Sequence, residues 1–185
     1  MPRGRPSPRV HCLGHYRFDS YLSSNRSSNE AEGRGSFEEL VIVDRDSDCV
    51  DAIGAGVITG QITAEGAILA RDMVNEPANV MISTEMAEMA EMAEMAGRVA
   101  DSEGLSLTVL EASQMREMGM GALLGVAQGS DQPPKLIVLG YNGDPDHSEK
   151  NLGLVGKGIA FDTGGIPLKP AGGMESMKGD MAGDA

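Results

Sequence analysis

The stretch VGKGIAFDTGGIPLKPAGGMESMKGDMAGDA, from Val155 to Ala185, constrains this chain more than any other. Glycines at 156, 158, 164, 165, 172 and 173 let the backbone turn sharply and close around a small object. Lys157 and Asp162 leave the end of an expected strand together, which is where α/β proteins place their chemistry. Asp162, Asp180, Lys157 and Lys169 are charged residues set among small apolar neighbours, so burial close to one another would shift their pKa values. Carboxylates on a glycine-rich scaffold suit hard or borderline divalent cations, and such sites activate water. An ordinary polar loop with surface charges has the same composition, so these residues alone leave both alternatives open.

Upstream, strand-like and helix-like patterns alternate, which predicts α/β architecture. The run HYRFDSYL alternates as a strand would, and LVIV from Leu40 to Val43 is a compact β-branched strand candidate. Residues 52–73 keep apolar positions three and four apart, predicting a helix that ends at Asn75-Glu76-Pro77. Ser83 and Thr84 are N-cap candidates for a second helix reaching about Ser102. The strand SLTVL, a short helix over ASQMREM, the strand KLIVLGY and a strand NLGLVGKG follow.

Charge excludes some functions. Lys and Arg number 15 against 28 Asp and Glu, a net of -13, which argues against nucleic acid because phosphate backbones require a basic face. The imbalance is uneven: six arginines against three acids give +3 over residues 1–36, and the remainder carries -16. Residues 1–36 read as a disordered basic leader and a Ser-rich linker, interrupted by one strand near 15–21. The Arg-rich start lacks the apolar core of a secretory signal. Cys12 and Cys49 form no framework, so a reducing, cytoplasmic setting is expected. No uninterrupted apolar run approaches the roughly 20 residues of a membrane helix, so no membrane association is expected.

The repeat EMAEMAEMAEMA from Glu85 to Ala96 sweeps both Glu and Met around a helix and leaves no clean apolar stripe. Thioethers suit Cu(I), but no Cys or His accompanies them, and methionine also serves as an adaptable packing residue. Two other motifs fail. Asp44, Asp46 and Asp48 are spaced as in a calcium loop, yet Cys49 and Ala55 occupy the positions that need Gly and Glu. GLVGKG lacks the first Gly and the Ser or Thr of a phosphate loop.

The string GKGIAFDTGGIPLKPAGGMESMKGDMAG resembles the signature of the leucyl (cytosol) aminopeptidase family, two-metal peptidases that remove N-terminal residues. ARDMVNEPANV at 70–80, GMGALLGVAQGSDQPPKLIVLGY at 119–141 and HYRFDSY also resemble family segments, in the family's order. The resemblance implies that 37–80 is the end of an N-terminal domain with its connector helix. It implies further that 81–185 is the first part of the catalytic α/β domain, an incomplete mixed sheet flanked by helices. By position, Lys157, Asp162 and Asp180 match metal ligands, with Asp162 joining two sites. Lys169 matches the catalytic lysine that stabilises an oxyanion, and Met177 a residue lining the pocket for the first side chain. Implied cofactors are two divalent ions (zinc, manganese or magnesium) holding a bridging hydroxide that attacks the first peptide bond. Implied partners are peptide substrates and, from the family, a homohexamer.

Several positions depart from the family. Pro167 stands where Ser is usual and Gly179 where Tyr is usual, while Ala182 and Asp184 replace small residues. The family's NTDAEGR string, with two further carboxylates and the arginine that holds a bicarbonate, does not occur. Three expectations result: a metal-dependent aminopeptidase with leucine-type preference, weak or inactive as this piece; a non-catalytic remnant of that family; or a Met-rich Cu(I) module.

Overall fold

The structure, a computed structural model, describes residues 13–22, 39–90, 105–147 and 150–183. The chain divides into two compact units, 1–75 and 76–185.

In the first unit a 3-10 turn at Leu13–His15 precedes irregular chain, and a second at Ser47–Cys49 leads into helix α1, Val50–Asn75. The aspartates that mimic a calcium loop are used by the backbone instead. Asp44 Oδ1 accepts from Asp46 N at 2.9 Å, and Asp46 Oδ1 accepts from Asp48 N at 2.9 Å. Such side-chain turns start a helix by satisfying its first N–H groups. Near the end of α1, Asp72 accepts the Tyr16 hydroxyl at 2.7 Å, Asn75 donates to the same oxygen at 3.1 Å, and Arg71 lies 5.4 Å from the Tyr16 ring centroid. Arg71 also donates to the Leu13 carbonyl at 3.1 Å, so three polar residues on one helix face hold the 13–16 segment.

Three expected strands are corrected here. Residues 15–21 form no strand, and neither do 40–43 nor 151–158. β-branched residues favour extended chain, but a strand needs a neighbour to complete its ladder, and none of the described residues pairs with these runs. Leu40, Val41, Ile42 and Val43 are instead all exposed, as are Leu152, Leu154 and Val155. The helical stretch Ser47–Asn75 is long and apolar enough, by length and composition, to cross a membrane. Glycines, threonines and a glutamine interrupt its apolar runs, but the continuous helix averages over them. Helices that pack inside larger soluble folds share this property.

The second unit opens with a turn in which the Pro77 carbonyl accepts from Val80 N at 2.8 Å and Met81 N at 3.0 Å. Helix α2 follows over 83–90. Ser83 and Thr84 already lie inside it, and the Ser83 hydroxyl donates to the Pro133 carbonyl at 2.5 Å rather than standing at the cap. The remainder of the expected helix, and of the EMA repeat, lies outside the described residues.

Strand β1, Ser106–Glu111, pairs antiparallel with β2, Lys135–Gly140, in a register from Ser106↔Gly140 to Glu111↔Lys135. An ion pair between Lys135 and Glu111 closes one end. Between the strands run α3, Ala112–Glu117, and α4, Gly121–Ala127. They are joined through Gly119, whose φ of +73° is the left-handed geometry of a helix C-terminus. The described residues thus make an α/β unit with a small two-stranded sheet.

Methionine dominates the core. Among the described residues, the buried hydrophobic side chains of the second unit are Met81, Met86, Ala87, Met115 and Met181. Unbranched and polarisable, methionine fills irregular spaces that a chain with few aromatics leaves. Met86, the first methionine of the repeat, is therefore a packing residue.

Candidate metal and catalytic site

Between Thr163 and Lys169 the chain folds back on itself. Gly164 and Leu168 form an isolated antiparallel bridge, and Lys169 N donates to the Thr163 carbonyl at 2.9 Å. Gly164 makes this possible with a φ of +93°; a Cβ there would meet the Pro167 carbonyl oxygen at 2.7 Å. A second left-handed glycine, Gly173 at +82°, starts the 3-10 segment Met174–Gly183. Asp162 N donates to the Met177 carbonyl at 3.4 Å, which joins the two pieces. Two glycine-dependent reversals therefore bring residues 157, 162, 169, 177 and 180 into one neighbourhood.

Their side chains meet as two ion pairs, one nested within the other in sequence. Lys169 Nζ lies 2.9 Å from Asp162 Oδ2 and donates to Met177 Sδ at 3.3 Å. Lys157 Nζ donates to Asp180 Oδ1 at 3.1 Å and lies 2.8 Å from Oδ2. The approach to Oδ2 lacks hydrogen-bond alignment, so that oxygen is shielded from solvent without an aligned donor. Asp162 Oδ1 accepts from Gly164 N at 2.9 Å. The Lys169 ammonium, then the Gly164 N–H, hold the Asp162 carboxyl below the ordinary range against desolvation, with the Lys169 and Lys157 charges adding to the lowering. The hydrogen bond to Asp180 raises Lys157 against desolvation, and the Asp180 and Asp162 charges reinforce it. Lys157 thus feels both carboxylates.

Lys157, Asp162, Lys169, Met177 and Asp180, the residues the family resemblance marks, lie near one another in the fold. Two carboxylates, with one amine once Lys157 has lost its proton, are a donor set that a hard or borderline divalent cation accepts, and Asp180 Oδ2 has no aligned donor within its ion pair. Among the described residues no group of three or more His, Cys, Asp and Glu gathers as a metal site, here or elsewhere. A cavity of about 540 Å³ lies beside Lys157 and Asp162, lined by Ile82, Met86, Leu123, Val126 and Ile137. One residue escaped the sequence reading. Lys178 donates to the Glu76 carbonyl at 3.2 Å, a contact spanning 102 positions that no local pattern announces.

The sequence profile of the cytosol aminopeptidase family's catalytic domain matches residues 68–185. The chain is 42% identical over 173 residues to a probable cytosol aminopeptidase of Alkaliphilus oremlandii (strain OhILAs), covering 94% of this chain and 32% of that protein. It is 44% identical over 170 residues to a probable cytosol aminopeptidase of Sinorhizobium fredii (strain NBRC 101917 / NGR234), covering 92% and 32%. The chain spans about a third of the length of the curated relatives it matches. Among solved structures it resembles the bottromycin maturation enzyme BotP in complex with Mn, with a TM-score of 0.67, 31% identity, and coverage of 93% of this chain and 31% of that one. It also resembles the apo leucyl aminopeptidase of Trypanosoma cruzi, with a TM-score of 0.58, 31% identity, and coverage of 66% and 23%. With the profile covering more than half of its length, this chain belongs to the cytosol aminopeptidase family.

Proposed function

We propose that the chain carries part of the machinery of a metal-dependent aminopeptidase that releases N-terminal amino acids, with a leucine-type preference, from peptides. The supporting observation is the convergence of Lys157, Asp162, Lys169 and Asp180 as two ion pairs on a glycine-built turn. Relatives of similar sequence named as aminopeptidases, and a neighbour solved with Mn, point the same way.

Asp162 and Asp180 would hold a divalent cation through their carboxylates, with Lys157 as an amine donor once its proton is lost. A cation bound there supplies Lewis-acid polarisation of a peptide carbonyl and an ionised water near neutral pH. Lys169 lies beside a carboxylate and a neutral thioether, where its side chain would meet negative charge developing on a carbonyl oxygen. Met177 presents a thioether beside that ammonium and would line the space for the substrate's first side chain. Lys157, Asp162 and Asp180 number fewer than the four to six ligands that such cations take. We therefore expect this chain alone to bind metal weakly and to turn over leucine anilides weakly or not at all.

Calorimetric titration of the purified chain with Mn(II), zinc and magnesium tests the site. Binding by the wild type that is lost in Asp162→Asn and Asp180→Asn is the expected result; equal binding by all three proteins would remove the metal assignment. In a longer version with the remaining ligands, Lys169→Ala should lower kcat far more than metal content. Equal loss of both would make Lys169 structural.

A further inference from the structure

Lys178 lies between Met177 and Asp180 in sequence, and its ammonium reaches a backbone carbonyl 102 positions away. It donates to the Glu76 carbonyl at 3.2 Å in a partly buried contact. Both sides of that bond are firmly built. Glu76 leads into the turn closed by Val80 N and Met81 N on the Pro77 carbonyl, and Met81 behind it is 5% exposed. On the other side Met181, at 1% exposure, anchors the end of the 174–183 segment. What lies between is weakly determined by itself. Its turns are 3-10, whose hydrogen bonds have poor geometry, and Gly179 offers no side chain to pack. Asp180 and Met177 occupy this weak stretch, so an ordering contact from Lys178 decides where their side chains fall.

We propose that Lys178 is a positioning residue: by tying the 174–183 segment to the Glu76 carbonyl, it holds Asp180 opposite Lys157 and Met177 opposite Lys169. Its consequence for cation binding rests on the metal assignment above; its structural effect does not. Residues that orient metal ligands are typically worth tenfold or more in affinity.

The test compares wild type, Lys178→Met and Lys178→Arg in the whole chain. Amide hydrogen exchange is followed without metal, and Mn(II) affinity by calorimetry. In Lys178→Met, exchange at 177–181 should rise by about tenfold or more while the β1 and β2 amides stay protected, and Mn(II) affinity should fall by about tenfold. Lys178→Arg, which keeps a cationic donor, should restore both to within about threefold of wild type. Should Lys178→Met fail to fold, the shorter Lys178→Gln carries the same expectation. Unchanged exchange at 177–181 overturns the proposal. So does a rise spread evenly over the strands, a failure of arginine to rescue, or equal Mn(II) affinity in wild type and Lys178→Met. Wild type that takes up no Mn(II), with exchange behaving as expected, would sink the metal assignment and leave the positioning role standing.

Discussion

Substituting alanine at three glycines of the site separates backbone strain from steric overlap. Gly164 has both problems: its φ is +93°, and a Cβ would sit 2.7 Å from the Pro167 carbonyl oxygen and 3.2 Å from Lys169 N. Gly173 has strain alone, with a φ of +82° and nothing within 4 Å of a Cβ. Gly165 has neither. Left-handed geometry costs an alanine about 1–2 kcal/mol. Overlap with backbone, which cannot rotate aside as a side chain would, adds about 1–3 kcal/mol. Gly164→Ala should therefore lose about 2–5 kcal/mol of local stability and Gly173→Ala about 1–2 kcal/mol. Gly165→Ala should change little, or gain up to about 1 kcal/mol because alanine restricts the unfolded chain. The assay is urea unfolding followed by circular dichroism, with amide exchange at Thr163–Lys169 as the local readout. Only Gly164→Ala should also release Lys169 N to exchange, since the new methyl pushes on its partner loop. Equal effects at 164 and 165 would refute the turn geometry from which the whole site is built.

Other outcomes follow from the core and from the first unit. Met115 is fully buried, so Met115→Ala should destabilise the second unit by about 2–5 kcal/mol, whereas replacement by leucine should cost less than about 1.5 kcal/mol; thermal unfolding of the two variants decides. Tyr16 should titrate above its ordinary value, mainly because burial disfavours the phenolate and secondarily because Asp72 holds the hydroxyl proton. Ultraviolet titration should show this, and Asp72→Asn should move the transition back toward the ordinary range. Because the folded value is raised, the stability Tyr16 contributes is fully present below about pH 10 and disappears as pH climbs through the folded value. A transition at the ordinary value would remove the Tyr16–Asp72 contact from the solution structure.

Several elements were legible because their causes are local. Helix α1 follows from three- and four-residue spacing ended by Glu76-Pro77, β1 and β2 from β-branched runs bounded by polar turns, and α3 from its short pattern. Residues 40–43 carry the same β-branched signal and 151–158 an apolar one, yet both stand exposed and outside any strand. Propensity marks a segment that accepts a ladder; only a neighbouring strand makes one. The Asp44–Asp48 run shows the converse case, since its wrong residues at the turn and bidentate positions already told it from a cation loop, and its carboxylates serve backbone N–H groups.

By itself the sequence marked charged residues on a glycine-rich stretch as candidates, and only the family resemblance implied their roles. Glycines at 164 and 173, with charged residues at 157, 162, 169 and 180, are properties of residue type and spacing, and chain geometry at short range carries them directly. Tertiary structure decided how those groups are matched. That Lys169 faces Asp162 while Lys157 faces Asp180, that a thioether rather than another charge is the second neighbour of Lys169, and that Lys178 is tied to a carbonyl at position 76 all depend on distant segments arriving together. Coulombic preference alone allows either lysine on either carboxylate. Two backbone reversals and a methionine core select one arrangement, because packing fixes positions to a fraction of an ångström where charge fixes only sign.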